Sequence, residues 1–137
     1  MDLRPRIQTS FDRQSMMQTF GAQLDAVAPG QVTLSAPILP GSLQQQGFAH
    51  AALTFGLGDS AAGYAALTTI PEDQEVVTAE IKINLTAPAT GDRLVARGRV
   101  VKPGRRLIVV TSEVVCVANG DETLVAILQG TMVPVPA

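Results

Sequence analysis

Two residues of this chain, Asp59 and His50, have types and spacing that suggest chemistry. They lie on the stretch GFAHAALTFGLGDSAAGYAALT, from Gly47 to Thr68. Most of its residues are small; Phe48, Leu53, Phe55, Leu57, Tyr64 and Leu67 are the bulky apolar exceptions. The pattern predicts one helix, apolar on all sides, and such a helix is a buried one. Gly56, Gly58 and Gly63 each cost about 1 kcal/mol against Ala inside a helix. Close packing against another element must offset that loss. An acid in such a place is expensive unless it is paired or used. A carboxylate that is used acts as a general base or as a nucleophile.

The elements that position these residues follow from composition and pattern. The chain has 137 residues, 46% of them hydrophobic and 16% charged, which suits a single domain over residues 1–137 with a proper core. Residues 1–9 are mostly polar and are expected to be loosely held. A net charge of −2 and the absence of Trp argue against a nucleic-acid partner. One Cys, Cys116, and one His leave no internal disulfide and no cysteine-rich zinc site; a metal site would have to rest mostly on carboxylates, and none is expected. The start, MDLRPRIQTSF, lacks an apolar signal core, and no apolar run reaches membrane-spanning length. The expected location is cytoplasmic, with no membrane association.

Along the chain, Ser10 or Asp12 reads as the cap of a first helix carrying Met16 or Met17, Phe20 and Leu24 on one stripe, with Pro29-Gly30 as its end. Gln31 to Ala36 alternates as a short strand with Val32, Leu34 and Ala36 on one face. After the central helix and a turn at Pro71-Glu72-Asp73 the pattern becomes alternating. Val77, Ala79, Ile81, Ile83 and Leu85 share one face; Thr78, Glu80, Lys82 and Asn84 share the other. Three more strands follow, around Leu94 to Val100, Leu107 to Val117 and Thr123 to Val133. They are separated by the basic turn Lys102-Pro103-Gly104-Arg105-Arg106 and the hairpin signal Asn119-Gly120. Short turns predict that these last four strands form an antiparallel meander. One face of that sheet needs cover, and the central helix is apolar enough to supply it. The predicted fold is α+β, a curved antiparallel sheet wrapped around a long buried helix.

This arrangement resembles the hotdog-fold acyl-CoA thioesterases of the phenylacetate-pathway (PaaI-like) type, over about Phe11 to Val133. The matching residues are Gly47-Phe48-Ala49-His50-Ala51-Ala52, Asp59-Ser60-Ala61-Ala62-Gly63-Tyr64-Ala65-Ala66, and the strand from Val77 to Asn84 that leads to Pro88. The family signature is His-Gly-Gly at the helix start with an acid nine positions after the His, the spacing found here between His50 and Asp59. Ala51 and Ala52 replace the two glycines.

The resemblance implies hydrolysis of an acyl- or aryl-CoA thioester to the free acid and coenzyme A. No cofactor is implied, coenzyme A being part of the substrate. The N–H of Ala51 or Ala52 would bind the thioester oxygen as charge develops on it. Asp59 would act as general base or nucleophile. It lies about 13 Å along the helix from His50, at 1.5 Å per residue, so one carbonyl cannot meet both on one helix. In this family the acid comes from the partner chain, which implies a homodimer or a dimer-of-dimers tetramer. Thr78 would hold the water near the acid. Gln44 or Gln45 would contact the carbonyl or the water, with Gln46 beside them. Lys102, Arg105 and Arg106 would meet the phosphates of coenzyme A. His50 either takes a direct part or caps the helix. The rival reading is a non-catalytic hotdog module that binds acyl-CoA as a sensor or scaffold.

Overall fold

The computed structural model describes residues 2–137. The central helix and the strands around it lie close to their expected places, but the N-terminal region departs from expectation. Residues 4–9 are not loose. They open helix α1 (Arg4–Arg13), with Pro5 in its first turn and Ile7 fully buried. The guanidinium of Arg6 fixes this helix to the core. It donates to the carbonyls of Leu67 and Ile70 at 3.1 and 2.7 Å and to those of Pro71 and Gln74 at 2.8 Å each. One side chain thus satisfies carbonyls at the end of the central helix and at the start of the strand that follows.

The expected single helix toward Pro29 is also corrected. Helix α2 (Ser15–Phe20) stops at Gly21, whose φ of +69° makes a left-handed cap. Strand β1 (Gln23–Ala28) follows and pairs with β2 (Gln31–Pro37) through a tight turn at Pro29-Gly30. Leu24, read as a helix position, is therefore a buried strand residue.

Helix α3 (Ala51–Leu67) forms the centre. The six strands make one antiparallel sheet in the order β1-β2-β4-β5-β6-β3, with β3 (Gln74–Leu85), β4 (Arg93–Lys102), β5 (Ile108–Ala118) and β6 (Asp121–Pro136). The expected meander therefore holds for β4, β5 and β6, while β3 crosses over to pair with β6 at the sheet edge. The helix meets the sheet most closely at Gly98, where a Cβ would fall 2.2 Å from the Ala61 backbone. A small-residue helix is needed for that approach, which explains the run of Gly and Ala between Gly56 and Ala66. Leu53, Leu57, Leu94, Val110, Val114, Leu128 and Cys116 share the core beneath the helix. This is the hotdog arrangement.

A bulge in β3 corrects the expected facing of that strand. The pairing with β6 slips between Thr78 and Glu80, leaving Ala79 unpaired. Before the bulge Val76 and Thr78 face the helix and Val77 is exposed; after it Ile81 and Ile83 face the core. Thr78 thus lies on the side opposite to that of Glu80, Lys82 and Asn84.

Candidate active site

The helix carries two groups of functional atoms, one at its start and one in its middle. At the start, His50 is the N-cap, with extended backbone (φ −65°, ψ 143°). Its Nδ1 accepts from the Ala52 N–H at 2.8 Å, which leaves the proton of the neutral ring on Nε2. The His50 carbonyl accepts from Leu53 and Thr54, and the His50 N–H donates to the Ser42 carbonyl. Among the described residues, the Ala51 N–H is the first-turn donor left without an acceptor. A free N–H at the positive end of a helix suits an oxygen that is gaining negative charge.

A pocket of about 570 Å³ opens in front of it. Gln44, Gln45 and Gln46 form one rim, and Leu85 to Ala89 form the other. The side-chain oxygen of Gln44 accepts from the backbone N–H groups of Phe48 and Gln46 and holds this loop in shape. Gly47 completes the turn at φ +88°. Gln45 and Gln46 are exposed.

In the middle of the helix, half-buried Asp59 faces Thr78 across the β3 bulge. Thr78 Oγ1 donates to Asp59 Oδ1 at 2.8 Å and lies 3.3 Å from Met132 Sδ. Burial pushes the Asp59 carboxyl above its ordinary range, and the Thr78 hydrogen bond draws it part of the way back. A carboxylate so raised is a better proton acceptor when ionised. It lines a pocket of about 240 Å³. Gln14, Ser60 and Tyr64, which no sequence pattern placed in the site, also line it, with Ser10 and Glu75. Gln14 donates to the Tyr64 hydroxyl at 3.0 Å and accepts from Ser60 at 3.2 Å. Gln14 sits at the break between α1 and α2, a break that periodicity alone did not show.

The predicted site residues therefore fall into three places. Asp59 and Thr78 are together. His50, Ala51, Gln44, Gln45 and Gln46 are together elsewhere. Lys102, Arg105 and Arg106 lie on the exposed β4–β5 turn and line neither pocket.

A curved antiparallel sheet wrapped around a long apolar helix defines the hotdog fold. The chain belongs to the thioesterase superfamily, whose family model matches residues 46–123. It is a thioester hydrolase. A thioesterase family protein from Silicibacter pomeroyi is 38% identical, with 99% of this chain and 100% of that chain covered and a TM-score of 0.96. A mutant of the phenylacetic acid degradation protein PaaI from Thermus thermophilus is 27% identical over 88% of this chain and 98% of that one, with a TM-score of 0.76. The PaaI protein of the E. coli phenylacetic acid degradation operon is 20% identical over 95% of this chain and 91% of that one, with a TM-score of 0.84, a likeness of fold. The PaaI-like resemblance read from the His50 and Asp59 stretches thus holds. No curated protein matches the chain.

Proposed function

We propose that the protein hydrolyses an acyl- or aryl-CoA thioester, releasing the free acid and coenzyme A, at a site completed by two copies of the chain. The observation that carries this reading is the separation of two complementary half-sites along one helix. Ala51 offers a donor for the carbonyl oxygen, and Asp59 offers a base about 12 Å of helix further on. The open edge of β3 can bring them together. Among the described residues β3 pairs with β6 alone, and twelve residues of its outer edge remain available. Two β3 strands paired antiparallel about a two-fold axis place opposite ends side by side. Leu85 at one end walls the Ala51 pocket, and Val76 and Thr78 at the other wall the Asp59 pocket. Each donor then faces the other subunit's acid.

In this site the Ala51 N–H receives the thioester oxygen. Thr78 occupies Oδ1 of Asp59 and leaves Oδ2 for water or for direct attack. By the first route Asp59 takes a proton from water, the hydroxide adds to the carbonyl carbon, and the intermediate collapses as the C–S bond breaks. The thiolate then takes the proton back from Asp59. By the second route Asp59 adds to the carbonyl, expels the thiolate and forms an anhydride that water opens. Gln45 and Gln46 border the path of the pantetheine amides, and Arg105 and Arg106 meet the nucleotide phosphates.

A mixing experiment tests the shared site. Ala51→Pro deletes the N–H at a first helical position, where Pro is well accommodated. The extended backbone of His50 also suits a residue before proline. Ala51→Pro and Asp59→Asn homodimers are each expected to be inactive. After subunit exchange, half of the dimers carry one intact site of two, so about a quarter of wild-type activity returns. No recovery after verified exchange overturns the shared site.

A further inference from the structure

His50 stands between two pockets, and only one of them has been used so far. Beyond its ring, away from the glutamine rim, lies a pocket of about 390 Å³. Phe20, Leu39, Leu43, Ala52 and Leu53 line it, together with Thr19, Gly41, Ser42 and His50. The two pockets meet at His50, one residue from the open Ala51 N–H. They differ in lining: the Ala51 pocket carries the polar side chains of Gln44, Gln45, Gln46, Thr54 and Thr86 among its apolar residues, whereas this one has four bulky apolar side chains and only Thr19, Ser42 and His50 with hydrogen-bonding groups. Among the described residues, its lining holds no Asp, Glu, Lys or Arg, and the Nδ1 of His50 is already engaged. Leu43 is 41% exposed and adds apolar surface to this pocket.

A thioester carbonyl held at Ala51 has two arms, one polar pantetheine arm and one acyl arm. We infer that the acyl arm turns over His50 into the pocket of Phe20, Leu39, Leu43 and Leu53, and that the substrates are thioesters of acids with an apolar acyl group. The inference rests on the proposed thioester site at Ala51 and adds the acyl class to it. The pantetheine arm, with its amides, takes the glutamine-rimmed side. Phe20 is a wall with little freedom to move, because its ring packs on Gly56, where a Cβ would come within 2.8 Å of it. The pocket is therefore preformed on one side and open at Leu43 on the other.

The test uses stable thioether analogues, so that it does not depend on turnover. S-ethyl-CoA and S-octyl-CoA are titrated calorimetrically into the wild type, Leu43→Trp and Thr19→Trp. Each buried methylene is expected to tighten binding about fourfold, the equivalent of ~0.8 kcal/mol. The wild type therefore prefers the octyl analogue by at least 100-fold, allowing for incomplete burial. A bulky ring at the pocket edge is expected to lower that octyl-to-ethyl ratio by about 10-fold or more. Thr19 is exposed on α2, so its variant tests the pocket even where Leu43→Trp disturbs the loop. An octyl-to-ethyl ratio near one in the wild type, or a ratio unchanged in both folded variants, overturns the subsite. Hydrolysis of octanoyl-CoA is assayed alongside. Chain-length-dependent binding without turnover leaves the subsite standing and removes the hydrolytic reading of Ala51 and Asp59; turnover without chain-length dependence does the reverse.

Discussion

Burial holds the Asp59 carboxyl above its ordinary range, so the folded protein favours the protonated form. Over the pH window between the unfolded and folded values the native state binds more protons than the unfolded state. Stability from this group therefore falls as pH rises through that window and is restored below it. Asp59→Asn should consequently melt at or above the wild-type temperature at neutral pH, with the gap closing in acid, while turnover drops by orders of magnitude. Parallel thermal melts and thiol-release assays check both halves. In the wild type, activity should fall as pH drops through the raised carboxylate value. Thr78→Val removes the interaction that lowers it, so the acid limb of the rate profile should move to higher pH. A limb that stays in place would separate Thr78 from the proton transfer. Elsewhere, Ser112 is 1% exposed and, among the described residues, its hydroxyl has no partner. Ser112→Ala should raise stability by about 1 kcal/mol, measured by denaturant titration.

The elements hold these residues through a few close contacts between backbones. At Gly98 an added Cβ would strike the Ala61 carbonyl itself, whereas at Gly58 it would meet side-chain methyls of Leu128 and Val114. Gly98→Ala should therefore cost several-fold more stability than Gly58→Ala, since the first forces the whole helix off the sheet. Arg6→Ala leaves four carbonyls without their donor and should cost about 2–3 kcal/mol. Arg6→Lys cannot reproduce the fork and should recover only part of it. The sequence showed α3 and most of the strands because they obey strong rules: small apolar helix, alternating strand, Asn-Gly hairpin. It hid Arg6 because a lone arginine in a polar segment has no period. It also hid β1, since Phe20 and Leu24 keep helical spacing across a glycine that ends the helix between them. The bulge at Ala79 was invisible because inserting one residue reverses every later facing without changing the alternation itself. That reversal is what turns Thr78 toward Asp59. The placing of His50 and Asp59 on one helix was legible; the Gln14–Ser60–Tyr64 cluster was not, because Gln14 comes from a separate element.

At the scale of the whole molecule, charge and assembly act together. The basic turn lies at the end of the sheet where β5 begins, and Ile108 pairs with Met132, which pairs with Thr78. Changing Arg105 and Arg106 together to Ala should raise the Michaelis constant with little effect on kcat. The rise should be larger at low salt, where exposed charges are less screened. Steady-state kinetics at two ionic strengths would detect it. Val77 is 50% exposed on the edge strand. Val77→Asp should shift sedimentation toward the monomer and reduce activity in the same proportion.

The open amide at Ala51 has a consequence for how this enzyme can drift and how it can be surveyed. A peptide N–H belongs to every residue except proline, so nineteen of the twenty side chains would leave it in place. An alanine scan would pass over this position in silence, because it already is alanine. In the proposed mechanism half of the machinery is written in the main chain, where neither mutational screens nor comparisons of side chains can see it.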